Sequence, residues 1–431
     1  MERFIGIIGI ISIFLICYAL SNNRKAINYR TIGVGFLLQI ILALFIFKCP
    51  VGELIFTKIG DFICKILEFA NQGGAFVFGP LLNKTRLAEL FGENYTIFAL
   101  QLICSTIFMM VLVNILYYYG IMQRIVAILG KAMNKIMRVS GAEALSNVAS
   151  AFVGQIVAQI MIKPYLEKLT RSELLASMAG SMACLSGAIM PIYIGMLSSA
   201  ISPEVANPAI YILASSIMAV PGAMILAKII YPETGEPETR DNVRISKRRT
   251  HANIFDSISS GASEGMKVAI NVIAMILALV ALVAFIDWLL GLTGLFIYNY
   301  IPGCSNFACL QDLSLKLILG KLFSIFALAI GVPLQDASTV GALMGTKIVL
   351  NEMVAYVQLS EIATNISPKS FMIACFALCS FGNFGSIAIQ IGGIGELAPN
   401  QRKNLARLGI RALICGTLSC YLSAAIVGVI L

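Results

Sequence analysis

Runs of about twenty apolar residues, almost free of charge, recur along the chain and limit its fold more than any other feature. A helix of ~20 residues crosses the ~30 Å hydrocarbon core of a bilayer. Eight runs are expected to cross: 4–20, 31–47, 97–119, 174–197, 206–230, 268–290, 371–394 and 412–431. The first lacks a basic flank beyond Arg3 and a small-x-small cleavage site, so it reads as a span rather than a signal peptide. Charged residues form 12% of the chain, against about 25% in a soluble domain. The expected fold is an all-α polytopic membrane protein with one membrane domain, 1–431.

Charge orients this layout. The net charge of +9 would suit an acidic partner such as nucleic acid, but the basic residues gather in loops between spans. The clusters are Arg24, Lys25 and Arg30; Arg124, Lys131, Lys135 and Arg138; Lys163, Lys168 and Arg171; Arg240, Arg244, Lys247, Arg248 and Arg249; and Arg402, Lys403, Arg407 and Arg411. With eight crossings all of them fall on one face, which is the cytoplasmic one because basic loops resist translocation. Loops 198–205 and 291–312, on the other face, contain neither Lys nor Arg. Both termini are then extracytoplasmic. Segments 51–70, 121–137, 141–166, 313–330 and 336–360 are apolar in part but too polar or interrupted to cross. The connector 231–252 carries Pro232, Gly235, Pro237 and a basic run, and reads as a cytoplasmic linker between two halves.

Soluble-enzyme chemistry finds no support. Of eleven cysteines most lie inside apolar runs, as buried free thiols do. Cys304 and Cys309 share a polar loop and are a candidate pair if that loop is extracytoplasmic. The only histidine, His251, sits in the basic connector. There is no zinc spacing, nucleophile elbow or phosphate loop, so no enzyme and no cofactor is expected.

The two halves share a pattern. In the first, a hairpin candidate at 141–166 has its tip at Gly154–Gln155 and precedes the interrupted span 174–197. In the second, a hairpin candidate at 336–360 has its tip at Asn351–Glu352 and precedes the interrupted span 371–394. Gln155 lies 29 residues before Cys184, and Glu352 lies 31 before Asn383. The charge layout puts the hairpins on opposite sides, so the repeats are inverted. Secondary transporters built this way bind substrate near the midplane, where the repeats meet. Non-helical backbone at that depth survives only when buried in protein or lining a cavity.

Two segments carry the chemistry. Glu352, in GTKIVLNEMVAY (345–356), is an ionisable group in apolar surroundings and needs a partner or a ligand. A carboxylate there can accept hydrogen bonds from hydroxyls, which suits a sugar. FGNFGS (381–386) interrupts its span, because Gly382 and Gly385 let the helix unwind. Asn383 and Ser386 then present an amide and a hydroxyl, and Phe381 a flat face.

Together these runs resemble the concentrative nucleoside transporters, whose signature is G-x-K-x3-N-E-F-V-A followed by F-x-N-x-x-S. Met353 stands in place of the Phe. GGAFVFGPL (73–81), the Gly154–Gln155 pair, KVAINVIAMILALVALVAF (267–285) and ELAPNQRKNLARLGIRAL (396–413) extend the resemblance over nearly the whole chain. It implies a homotrimer in the cytoplasmic (inner) membrane of a bacterium, importing nucleosides by symport and an elevator motion. Scaffold helices would lie mainly in 1–120 and at 268–290, and the moving repeats at 121–230 and 313–431. It implies that Glu352, Phe381, Asn383 and Ser386 hold the ribose, with Gly154 and Asn351 at the tips.

The resemblance is uneven in the other half of the site. The family's first hairpin reads G-Q-T/S-E and holds the base; here it is Gly154, Gln155, Ile156, Val157. Gln155 is kept, but Ile156 and Val157 cannot pair with a base edge, and each polar group left unpaired costs roughly 1–3 kcal/mol. Ile189 matches an apolar base contact. The positions matching a sodium site are Ser150 and Cys184, with the carbonyls of Val153 and Leu185. A thiol is a poor ligand for a hard cation, so the coupling ion, sodium or a proton carried by Glu352, stays open. So do two other readings: the same fold carrying another ribosylated or polyhydroxylated solute, and a binding or receptor protein that has lost transport.

Overall fold

A backbone inside hydrocarbon must satisfy its own N–H and C=O groups, and a helix does so within one segment. The computed structural model describes residues 2–82, 86–87, 97–187, 189–201, 207–239, 252–300 and 313–431, and among these there are helices and no strand. Cys304, Cys309, His251 and the basic run 240–249 lie outside the described residues.

The first half runs α1 (Glu2–Ala19), α2 (Tyr29–Lys48), α3 (Pro50–Phe78), α4 (Phe98–Tyr118), α5 (Ile121–Met137), α6 (Gly141–Val153), α7 (Gln155–Met161), α8 (Lys163–Leu166), α9 (Arg171–Ala183), α10 (Met190–Ala200) and α11 (Pro208–Ile230). The second runs α12 (Ile254–Tyr300), α13 (Leu315–Ala329), α14 (Ala337–Val349), α15 (Glu352–Ile362), α16 (Pro368–Leu378), α17 (Phe384–Leu397) and α18 (Arg402–Ile430). Five of the expected spans are continuous helices long and apolar enough to cross: α2, α4, α11, α12 and α18. The span expected at 4–20 is the short apolar α1. The two interrupted spans are both split, into α9 and α10 and into α16 and α17.

Two elements run longer than expected. The segment 51–70, expected not to cross, lies in one 29-residue helix, α3, started by Pro50 at its first turn, and α3 is not among the helices long and apolar enough to cross. Its charges Lys58, Asp61, Lys65 and Glu68 do not stop it, because charged side chains on exposed turns leave the backbone bonds intact. Helix α12 extends to 47 residues, well beyond 268–290, and α18 begins ten residues before 412.

Burial separates a centre from a periphery. The apolar windows of α11 and α18 are 78% and 83% buried, whereas that of α12 is 11% buried. Helix α18 packs on α1, α9, α11, α16 and α17, so both split helices rest on one post. Helix α12 packs along α4 and presents Leu277, Phe285, Trp288 and Phe296 outward.

The chain folds back on itself at both expected tips. Ser150 and Gln159 are nine residues apart, about 13 Å along a straight helix. Yet both meet the hydroxyl of Ser181 on α9, at 2.9 and 2.8 Å. The reversal falls at Gly154, whose φ of +88° favours a residue without Cβ. In the second half Lys347 and Tyr356, also nine apart, donate to the carbonyls of Ala377 and Cys375 on α16. That reversal falls at Leu350 and Asn351, with Asn351 capping α15 through Val354 N–H at 2.9 Å.

Polar pairs lock each hairpin to its split helix. Ser146 donates to Ser177 at 2.8 Å, Ser177 to Gln159 at 2.8 Å, and Asn147 to the Ala176 carbonyl at 3.1 Å. The helices approach closely because α9 carries Gly180, where any Cβ would strike Asn147 Oδ1. In the second half Asp336 accepts from Ser367 N–H (3.1 Å), Ser367 Oγ (2.9 Å) and Ser370 Oγ (2.6 Å), tying the start of α14 to that of α16. Burial would raise this carboxyl, but the serine donors outweigh it and hold it below the ordinary carboxylate range. A depressed folded-state value means stability that is present above the unfolded value and lost as pH falls through the folded one. Asp336→Ala should cost about 1–3 kcal/mol, read as a lower melting midpoint in detergent at neutral pH. The gap to the parent protein should narrow in acid.

The connector after α11 is not a free spacer. Thr239 receives Gly141 N–H on its carbonyl (2.8 Å) and Ala142 N–H on its hydroxyl (3.0 Å). These are donors that the first turn of α6 cannot satisfy by itself. Lys228, near the end of α11, meets Glu143 at 2.7 Å, Ser172 Oγ at 2.9 Å and Glu233 at 3.5 Å. Glu143 and Glu173 each close a capping box, with Ser140 and Thr170. The base of hairpin one, the start of α9 and the connector thus meet around one ammonium.

Candidate functional site

Helix ends converge where the split helices break. Asn383, in extended conformation, caps α17 by accepting from Ser386 N–H at 2.9 Å. Its amide Nδ2 then points back and donates to Glu352 Oε2 at 3.1 Å. Glu352 opens α15, so its carboxylate sits at the positive end of that helix. Its Oε1 accepts from the Tyr193 hydroxyl at 3.2 Å. Glu352, Asn383, Ser386 and Phe381 are all buried, at 6, 7, 2 and 8% exposure. The four residues expected to hold a sugar are therefore on adjoining elements, and Glu352 and Asn383 touch.

The carboxylate is held by neutral donors. Lys347, fully buried on α14, donates to the Ala377 carbonyl at 3.1 Å and lies 5.5 Å from the ring centre of Tyr421. An ammonium there faces the free carbonyls at the end of α16, the favourable end of a helix for a cation. A carboxylate offers about four acceptor directions. Two are used by Tyr193 and Asn383, which leaves room for ligand hydroxyls.

The first hairpin presents a different surface. Gln155 is half-buried and accepts from Gln390 Nε2 at 3.5 Å. Gln390 is fully buried and also donates to the Met178 carbonyl at 3.2 Å. Ile156 packs against Gly393, where a Cβ would collide with it. Val157 is 40% exposed, and Ile189 is half-buried just before α10.

The positions expected at an ion site turn their donors inward. Ser150 Oγ donates to the Ser146 carbonyl at 2.7 Å and pairs with Ser181. Cys184 Sγ points to the Ser216 carbonyl at 3.6 Å. The Phe152 carbonyl at the tip accepts from Gly187 N–H at 3.0 Å. Val153 is half-buried and Leu185 fully buried. A hydroxyl already bonded within the fold and a thiol make a poor donor set for a hard cation.

Sequence reasoning passed over Tyr193, Lys347, Tyr356 and Gln390. One signal was available for Gln390: with Asn383 and Ser386 it falls at i, i+3 and i+7, a polar stripe on one face of an apolar helix. Tyr193 carries no such signal, since a lone tyrosine in an apolar run is ordinary.

Comparison with known proteins places this geometry. Residues 211–428 match the family described as "Na+ dependent nucleoside transporter C-terminus", 8–81 the corresponding N-terminus, and 99–200 a "Nucleoside recognition" family. The chain is 35% identical to the nucleoside permease NupC of Helicobacter pylori, over 98% of this chain and 96% of that one. It is 30% identical to the sodium/nucleoside cotransporter 1 of Rattus norvegicus, over all of this chain and 64% of that one. Among solved structures, CNTnw in an inward-facing substrate-bound state superposes with a TM-score of 0.88 at 36% identity, covering 100% of this chain and 98% of that one. An outward-facing variant of the same transporter gives 0.89 at 35% identity over the same shares.

Proposed function

The chain belongs to the sodium-dependent nucleoside transporter family, and from that premise we propose that it imports nucleosides as a symporter. The observation that carries this reading is the buried Glu352 carboxylate, flanked by Asn383 and Ser386 at a helix break. Hydroxyls of a ribose satisfy such an acceptor, and a free base offers none.

In this reading the protein is a homotrimer in the cytoplasmic membrane, with its basic loops inside and no cofactor. Segments 1–120 and 268–290 form the scaffold, and the repeats at 121–230 and 313–431 carry the solute in an elevator motion. The contrast between buried α11 and α18 and outward-facing α12 supports that division. The inward-bonded Ser150 and the thiol of Cys184 favour a proton, carried by Glu352, over sodium as coupling ion.

Uptake of labelled nucleosides into proteoliposomes tests the proposal, with sodium and proton gradients imposed separately. The expected result is accumulation driven by an inward proton gradient and indifferent to sodium. No uptake of any purine or pyrimidine nucleoside above empty vesicles would sink it. Ile156 and Val157 favour one second reading, a different ribosylated solute, because they offer a base no polar partner. Stabilisation by a non-nucleoside alone, in a thermal-shift panel of nucleosides, bases and sugars, would select it.

A further inference from the structure

We propose that Tyr193 is a positioning residue for the sugar: the first repeat orients, through this phenol, the carboxylate of the second. The proposal rests on the reading of Glu352 as the sugar acceptor. Tyr193 lies on α10, just past the break of the first split helix, while Glu352 opens α15 of the second hairpin. Helices α10 and α15 pack together, and the Tyr193 hydroxyl reaches Glu352 Oε1 at 3.2 Å.

The phenol has little freedom to point elsewhere. Its ring stacks on Tyr356, with centroids 4.7 Å apart and planes inclined by 26°. Tyr356 is itself pinned, since its hydroxyl donates to the Cys375 carbonyl at 2.9 Å. Tyr193 is 1% exposed, so water is not at hand to replace it. With Asn383 holding Oε2, the two donors fix the plane of the carboxylate. No ion pair within 4 Å does this among the described residues: the Lys347 ammonium is bonded to the Ala377 carbonyl and acts on the carboxylate through its charge alone, which sets no plane. The remaining acceptor directions, about two, are then aimed rather than free to swing. Loss of one donor releases the rotation and blurs the reading of sugar hydroxyls.

Tyr193→Phe keeps the ring and its stacking and removes only the donor. Uptake kinetics are to be measured for a ribonucleoside and its 2′-deoxy and 3′-deoxy analogues, in the parent, Tyr193→Phe, Glu352→Gln and the double variant. The expected result is a KM for the ribonucleoside raised about tenfold, as for one lost hydrogen bond to a charged group. The maximal rate should change by less than about twofold, in line with loss of binding alone. Preference for ribonucleoside over the deoxy analogues should shrink, and Tyr193→Phe should add nothing in the Glu352→Gln background. A merely structural role would lower the melting midpoint and the amount of active carrier, with the KM ratios among sugars unchanged; that outcome overturns the proposal. An unchanged KM overturns it too. If Glu352→Gln itself leaves uptake and sugar preference intact, the sugar-acceptor reading falls and takes the Tyr193 proposal with it.

Discussion

Glu352→Gln should fold normally and lose nucleoside uptake by at least about tenfold to a hundredfold, the loss expected for hydrogen bonds to a charged acceptor. The local geometry explains why the two outcomes separate. A glutamine can turn its carbonyl oxygen toward Asn383 Nδ2 and its amide toward the Tyr193 hydroxyl, which accepts as readily as it donates. The neighbours therefore keep their partners. What disappears is the charge, and with it one of the two acceptor oxygens, the strength of the other toward ligand hydroxyls, and the group that would carry a proton. The melting midpoint of the empty protein should change little: losing the buried charge relieves its desolvation, while the buried Lys347 ammonium loses a nearby carboxylate. Proteoliposome uptake and a detergent melt together check this. A Glu352→Gln protein that melts normally and transports at the parent rate would remove the carboxylate from the site.

Lys228→Met should destabilise the protein by about 3–5 kcal/mol, the usual result of removing one partner from a buried ion pair. The ammonium is 9% exposed and Glu143 1% exposed, so neither has water to fall back on. Its removal leaves Glu143 without a cation in a region that also holds Glu173 and Glu233. Repulsion among three carboxylates should open the base of hairpin one first, since Glu143 also completes the cap of α6. The double variant Lys228→Met with Glu143→Gln should recover much of the loss, because no uncompensated charge remains. Melting midpoints of the three proteins decide the matter. A single variant as stable as the parent would mean that Glu143 is held by its cap alone.

Much of the architecture was legible because its causes are local. Spans are set by length and hydropathy, and the reversal at Gly154 by a glycine at a tip. The break at 381–386 follows from two glycines flanking an asparagine that can cap. The extent of α3 was not legible, because the charges that keep 51–70 from reading as a span say nothing about whether its backbone stays helical. The site was half legible. Glu352 stood out because an ionisable group in an apolar run demands a partner or a ligand, and its grouping with Asn383 came from the family resemblance. Tyr193 did not, since its partner is 159 residues away and its ring obeys the same hydropathy whether or not the hydroxyl is used. The inward turn of Ser150 also escaped, because its partner Ser181 on α9 depends on how closely Gly180 lets two helices approach.

The docked start of the connector moves a boundary. By helix content the first half of the protein ends at Ile230, yet the carbonyl and hydroxyl that complete hairpin one belong to Thr239, nine residues later. The strap that completes the start of α6 therefore belongs with the first half of the chain. A gene divided after 239 should yield two fragments that reassemble, whereas one divided at 231 would hand the cap of one half to the other.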